Sequence, residues 1–369
     1  MGTEPLELRT NAVLEALKRA RAAVPGVAEL DAGLGGRFEG RFKQLAGEVE
    51  AGLVNGVDAK ESAKLLKQGE DLVAETLAFL GGAAARKYKL DRGVTALADA
   101  WLDQLGKTPG LQPVGVVIPA STEFTGMLTH IVRLRLPSDG IWSLPVAVHE
   151  YGHFVASVFV VREVRDGMAE SFVPVEELAH GAANRNELPK LYWHGHELFA
   201  DALAAATAGP AYTRYCVHYR FDPVTARKDT PSHPEPARRI RLQLRVLDKL
   251  AQKQGAYLEA EADAIRKTWK AALDAVGVAV DPRPDELLDP LEDKLIAVLD
   301  EPPLKAIRYG DHGDAKALAI DLLDENSTTD SVAIALNAAW ARRLGKNPPA
   351  LDDIASACER LVREALARG

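Results

Sequence analysis

The chain has only two cysteines, Cys216 and Cys358, in 369 residues. Two thiols so far apart do not make a disulfide framework, and neither has a second cysteine at metal-ligand spacing. Cys358 falls in the series Ile354, Ala357, Cys358, Leu361, Val362, which reads as the core face of a helix. The count fits a reducing compartment, so a cytoplasmic location is expected.

Long apolar runs are also missing. The stretch from Val155 to Val161 is among the longest, far short of a membrane span, so no membrane insertion is expected. The opening residues, MGTEPLELRT, have no basic stretch followed by an apolar one, and Leu6 stands where a myristoylation signal has Ser or Thr, so neither signal is expected. There is no excess of positive charge: 45 Lys and Arg stand against 53 Asp and Glu, for a net charge of −8, which gives no electrostatic footprint for nucleic acid. No internal repeat is visible.

Apolar residues make up 47% of the chain and charged residues 27%, the profile of an ordinary globular protein. The length exceeds what one core usually organises, so two or three subdomains are expected. Leu6, Val13, Leu14, Leu17 and Val24 recur at helical spacing, as do Leu65, Leu66, Val73, Leu77 and Leu80, and then Val94, Leu97, Ala98, Trp101, Leu102 and Leu105. Residues 1–107 therefore read as a helical N-terminal region. Lys107-Thr108-Pro109-Gly110 is a turn signal. Strands are expected at 114–118 and 131–136, where Val132, Arg133, Leu134, Arg135 and Leu136 alternate with the period of a half-buried strand. Helices are expected at 142–162 and 188–208, a polar loop at 221–234, and helices again at 234–253 and 257–276. An acidic, proline-containing linker or wrap follows at 281–303, and three last helices at 314–323, 330–344 and 351–367. The predicted fold is mainly α with a small β-sheet, an α+β arrangement with a core at 108–254 and a helical C-terminal region at 255–369.

The chemistry concentrates at residues 149–153, His-Glu-Tyr-Gly-His. Two histidines four apart on a helix lie about 40° apart around its axis, so both imidazoles face one way. That is the bite a tetrahedral zinc ion needs. Glu150 lies off that axis, placed to exchange a proton with an attacking water without binding the metal. The bland alternative is a buried helix with two satisfied histidines, but three ionisable groups in an apolar helix are costly without a partner.

A catalytic zinc keeps three protein ligands. The metzincin extension would need Gly at 156 and His at 159, where this chain has Ala156 and Phe159. Downstream, Glu197 and Asp201 share one helical face at i,i+4. Glu197 can serve as third ligand while Asp201 accepts a hydrogen bond from the far nitrogen of a ligand histidine. His194 is one turn before Glu197 and is a competing ligand or a substrate contact, and His196 points elsewhere; Glu197 is favoured because it alone has an Asp partner.

His149-Glu150-x-x-His153 followed by Glu197-x-x-x-Asp201 resembles the gluzincin metallopeptidases of the thermolysin-like clan, and the compact helical setting is similar to their minigluzincin and soluble Ste24-like members. The resemblance covers roughly residues 114–240. It implies a zincin-like active-site helix next to a short sheet whose edge strand pairs with substrate. It also implies a downstream His, Tyr or Arg that stabilises the oxyanion; His233, Arg239 and Tyr212 are the candidates. Ser232 and Glu235 have capping-box spacing, which would put His233 at the start of a helix beginning near Pro234; an ordinary capped start with a surface histidine is the competing reading. Arg133 and Arg135, on one face of the expected edge strand, are candidate substrate contacts or edge-blunting charges. His130, His180, His218 and His312 have no companions at useful spacing and read as structural or surface.

The expectation is a zinc-dependent metallopeptidase with one Zn²⁺ per chain held by His149, His153 and Glu197, with Glu150 as general base, acting on a peptide or protein substrate. A noncatalytic metal-binding scaffold or regulatory protein on a peptidase-like fold is the alternative, and a hydrolase of non-peptide amides a third. Nothing in the sequence specifies an oligomeric state.

Overall fold

The computed structural model describes residues 4–23, 25, 32–55, 59–111, 116–120, 124–126, 131–135, 140–166, 188–279 and 288–368. The protein is mainly α-helical and divides into two units, one of residues 1–96 and 115–138, the other of residues 97–114 and 139–369. These units do not coincide with the three segments 1–107, 108–254 and 255–369 expected from sequence.

Among the described residues the first unit holds α1 (Glu4–Ala23), α2 (Ala32–Val54) and α3 (Ala59–Lys87). Its core contains Val13, Leu17, Phe42, Ala46, Leu66, Leu72, Phe79 and Ile118. Three short strands, β1 (Val116–Ala120), β2 (Phe124–Gly126) and β3 (Ile131–Arg135), complete it. They pair in the order β1-β3-β2, parallel between β1 and β3 and antiparallel between β2 and β3. Arg133 and Arg135 were expected on an edge strand. β3 is instead the middle strand, with both of its sides already hydrogen-bonded, so it offers no free edge to a substrate.

The division between the units falls within α4 (Val94–Gly106). The second unit then opens with a short 3₁₀ turn, Gly140–Ser143, that feeds α5 (Val146–Asp166). Next come α6 (Leu188–Ala208), the short α7 (Pro210–Tyr215) and a π-helical turn at Cys216–Arg220. A loop containing a 3₁₀ turn at Pro223–Thr225 leads to α8 (Pro236–Gln254), which Gly255 ends at φ 85° before α9 (Ala256–Ala275). The C-terminal helices are α10 (Leu288–Val298), α11 (Pro302–Ala306), α12 (His312–Ile320), α13 (Val332–Arg343) and α14 (Leu351–Arg368). Much of the stretch expected as an acidic linker at 281–303 is thus helical. Glu292 of α10 is fully buried, and Arg238, Arg241 and Arg245 of α8 all reach it, so the acidic residues there serve packing between helices.

Helix α5 packs against α6, and α6 against α8, which stacks the chemistry-bearing elements in one layer. The approach of α5 to α6 depends on small residues. A Cβ on Gly152 would stand 2.6 Å from Ala200 Cα, inside any real contact distance. Further along α6, Ala202, Ala204, Ala205 and Ala206 are buried as well. From the C-terminal side, Arg343 lies over the rings of Trp142, Tyr219 and Trp340, and Trp142 meets Trp340 edge-on at 5.0 Å between centroids, which pins the turn that precedes α5. Cys358 is fully buried, as its helical series implied. Among the described residues no helix is long and apolar enough to cross a membrane.

Candidate metal centre

His149, Glu150 and His153 are brought together on α5, where their ligand atoms lie within 4.8 Å of one another; His149 and Glu150 are buried and His153 partly so. This group can hold a metal ion. From α6, Glu197 faces both imidazoles: Oε2 lies 3.5 Å from His149 Nε2, and Oε1 lies 3.2 Å from His153 Nε2. The two contacts are made by different oxygens of Glu197, so its carboxylate lies against both imidazoles. Glu197 Oε2 is buried and accepts no well-directed hydrogen bond, although Arg239 Nη2 lies 3.0 Å away. A buried carboxylate oxygen left in this state beside the His149 imidazole fits a cation ligand.

Asp201, one turn further along α6, is fully buried beneath His149. Its Oδ1 is 3.1 Å from His149 Nδ1. If Nδ1 carries the proton, it donates to Asp201 and leaves the Nε2 lone pair aimed at Glu197, the tautomer a metal requires. Burial alone would favour the neutral acid, but the Arg239 guanidinium and the His149 contact outweigh it and hold the Asp201 carboxyl well below its usual range. The same competition, with Arg239 and both imidazoles opposing burial, holds Glu197 well below the carboxylate range. Burial would depress His149, but its contacts with Asp201 and Glu197 outweigh that and raise it.

Arg239 and Tyr212 were candidates for the oxyanion, and the structure employs both elsewhere. Arg239 is clamped on Asp201, with Nε donating to Oδ2 at 2.6 Å and Nη2 to Oδ1 at 2.9 Å. The Tyr212 hydroxyl donates to Asp201 Oδ1 at 2.5 Å, and burial pushes its pKa well up. Both are buried, and both orient the carboxylate that orients His149. Their link to Asp201 was not visible in the sequence, because α7 and α8 carry them and only the folded order of helices puts them beside α6.

His233 sits in the loop before α8, with Nε2 3.3 Å from Glu197 Oε1 and a half-exposed side chain. The expected capping box does not form. Helix α8 starts two residues later, at Pro236, with Glu235 as N-cap and no side-chain cap bond. Pro236 restricts the residue before it to extended backbone, and Glu235 sits at φ −55°, ψ 139°. Ser232 Oγ instead bonds His233 Nδ1 at 2.8 Å, and Thr230 closes the turn by exchanging hydrogen bonds with the His233 backbone. His194 is taken by this loop, with Nε2 2.8 Å from Thr230 O. His196 is buried against Tyr192, with ring centroids 4.4 Å apart, and burial pushes its pKa down to about 4. His218 stacks on Trp340, and His312 bonds the Tyr309 hydroxyl. Arg133 and Arg135 belong to the first unit. His130 and His180 lie outside the described residues.

Fold and site together define a mainly α protein with a buried histidine and carboxylate group able to hold a metal ion. The chain matches no protein-family model, no curated protein and no solved structure.

Proposed function

We propose that this protein is a zinc-dependent metallopeptidase of gluzincin type, hydrolysing peptide bonds with one Zn²⁺ held by His149, His153 and Glu197. The observation that carries the reading is the convergence of Glu197, from a second helix, on both histidines of the α5 motif while Glu150 stays buried beside them. A group of ligands alone would not need a second carboxylate next to the histidines. The helix pair supports the resemblance by itself, since the strands belong to the other unit.

Zinc in such a site supplies a Lewis acid that polarises both the attacking water and the scissile carbonyl. Glu150 takes the proton of that water and passes it to the leaving amine. Asp201 holds the His149 ring in one tautomer, and Arg239 and Tyr212 hold Asp201. His233, half-exposed at the edge of the group, donates to the oxyanion. A Glu150→Gln variant tests the reading. It should lose peptide hydrolysis and keep its zinc; loss of the metal instead would mean that Glu150 is a ligand and that the assignment of roles is wrong.

A further inference from the structure

Helix α13 is apolar from Val332 to Trp340 except at Asn337, whose amide is buried. A buried amide is costly unless its donors and its acceptor are met. Here all are met. Oδ1 accepts from Ala211 N at 2.8 Å, and Nδ2 donates at 2.8 Å both to Ala208 O and, within its own helix, to Ala333 O. Ala208 ends α6 and Ala211 lies in the first turn of α7, so one side chain joins an end carbonyl of the first helix to an early N–H of the second. Between them Gly209 turns the chain at φ 63°, and the Tyr309 ring closes over it: a Cβ there would stand 2.6 Å from Tyr309 Cδ1. Tyr309 N also donates to Ala206 O at 2.7 Å. The corner between α6 and α7 is therefore held by residues more than a hundred positions along the chain.

The residue after Ala211 is Tyr212. Its hydroxyl lies 2.5 Å from Asp201 Oδ1 and 3.1 Å from His149 Nδ1, and its ring stacks on that of His149 with centroids 5.9 Å apart. Asp201 belongs to α6 and Tyr212 to α7, so the corner sets the span between them. Hydrogen bonds weaken steeply as length and angle depart from the optimum. Resting on the reading of His149, His153 and Glu197 as a zinc centre, we infer that Asn337 is a positioning residue for that centre, acting through Tyr212. It clamps the corner so that the Tyr212 hydroxyl meets Asp201 and His149, and so keeps His149 Nε2 turned toward Glu197. An amide supplies two donors and an acceptor in one plane; an aspartate of the same shape would set an acceptor against Ala208 O.

A double-mutant cycle on the full-length chain tests this, with Asn337→Ala, Tyr212→Phe and the two combined. Each is read for zinc affinity by titration against a chelator, and for thermal midpoint without metal. Tyr212→Phe removes only the hydroxyl and should weaken zinc binding by about tenfold. Asn337→Ala should weaken it by a similar factor in the wild-type background but by less than about twofold beside Tyr212→Phe, while lowering the midpoint in both. Equal losses of affinity in the two backgrounds, or a lower midpoint with zinc affinity unchanged, overturn the role. Should Asn337→Ala not fold, Asn337→Ser, which keeps a hydroxyl at the corner, replaces it in the cycle. If wild type binds no zinc, the zinc-centre reading fails separately. The NMR shifts of the His149 ring nitrogens in the metal-free chain then decide: a single tautomer in wild type that each single variant turns into a mixture keeps the role, and the same tautomer in all three overturns it.

Discussion

Gly152 and Ala200 bring α5 and α6 so close that a single added methyl carbon on Gly152 would stand 2.6 Å from the Ala200 backbone. Gly152 lies between Glu150 and His153, and Ala200 lies between Glu197 and Asp201. The pair therefore sets the distance between the histidines and the carboxylates that face them. Interaxial distance between packed helices follows the side chains at the contact, and here it is set by the smallest ones.

Gly152→Ala should accordingly weaken both the fold and the site. Overpacking at a buried contact costs about 1–3 kcal/mol, and any shift of α5 lengthens the 3.2 Å and 3.5 Å separations from Glu197. The expected outcome is a lower thermal midpoint together with reduced zinc affinity. Unchanged zinc affinity in a folded variant would show that the helix spacing does not govern the site.

Arg239→Ala should be among the most destabilising substitutions in the second unit. It leaves Asp201 and Glu197 buried without their guanidinium, and removing one partner of a buried ion pair typically costs about 3–5 kcal/mol. Loss of an outer partner of a metal ligand also weakens metal binding by about 10–100-fold. Chemical denaturation and zinc titration read the two effects. Arg239→Lys should rescue little, because one ammonium cannot reproduce contacts to both Asp201 oxygens and to Glu197.

His233→Ala should leave zinc binding intact and lower turnover by about 10²–10³, the usual effect of removing one oxyanion donor. Steady-state kinetics beside metal analysis checks it. A variant with full turnover would return His233 to a surface role, and with Arg239 and Tyr212 bound to Asp201 the oxyanion would need another donor.

The α5 group was legible because His149, Glu150 and His153 lie within five residues on one helix, where spacing alone fixes direction. Glu197 and Asp201 were legible for the same reason, as an i,i+4 pair on the next apolar helix. The buried support beneath them was not, because Arg239 lies 38 positions from Asp201 and reaches it only through the packing of α8 on α6. The start of α8 differs from the expectation because Ser232 and Glu235 have capping-box spacing, while Pro236 fixes the first turn. Gly152 carried a signal that could have been used: a glycine inside an apolar helix costs about 1 kcal/mol relative to alanine and so calls for a close contact. The middle position of β3 had no local signature, since alternation reports a half-buried face and not the number of neighbours.

The most direct test is elemental analysis of the full-length protein purified without added metal, with His149→Ala alongside. The account predicts about one zinc per wild-type chain and little or none in the variant. Wild-type protein free of any transition metal, with His149→Ala titrating zinc just as wild type does, would contradict it.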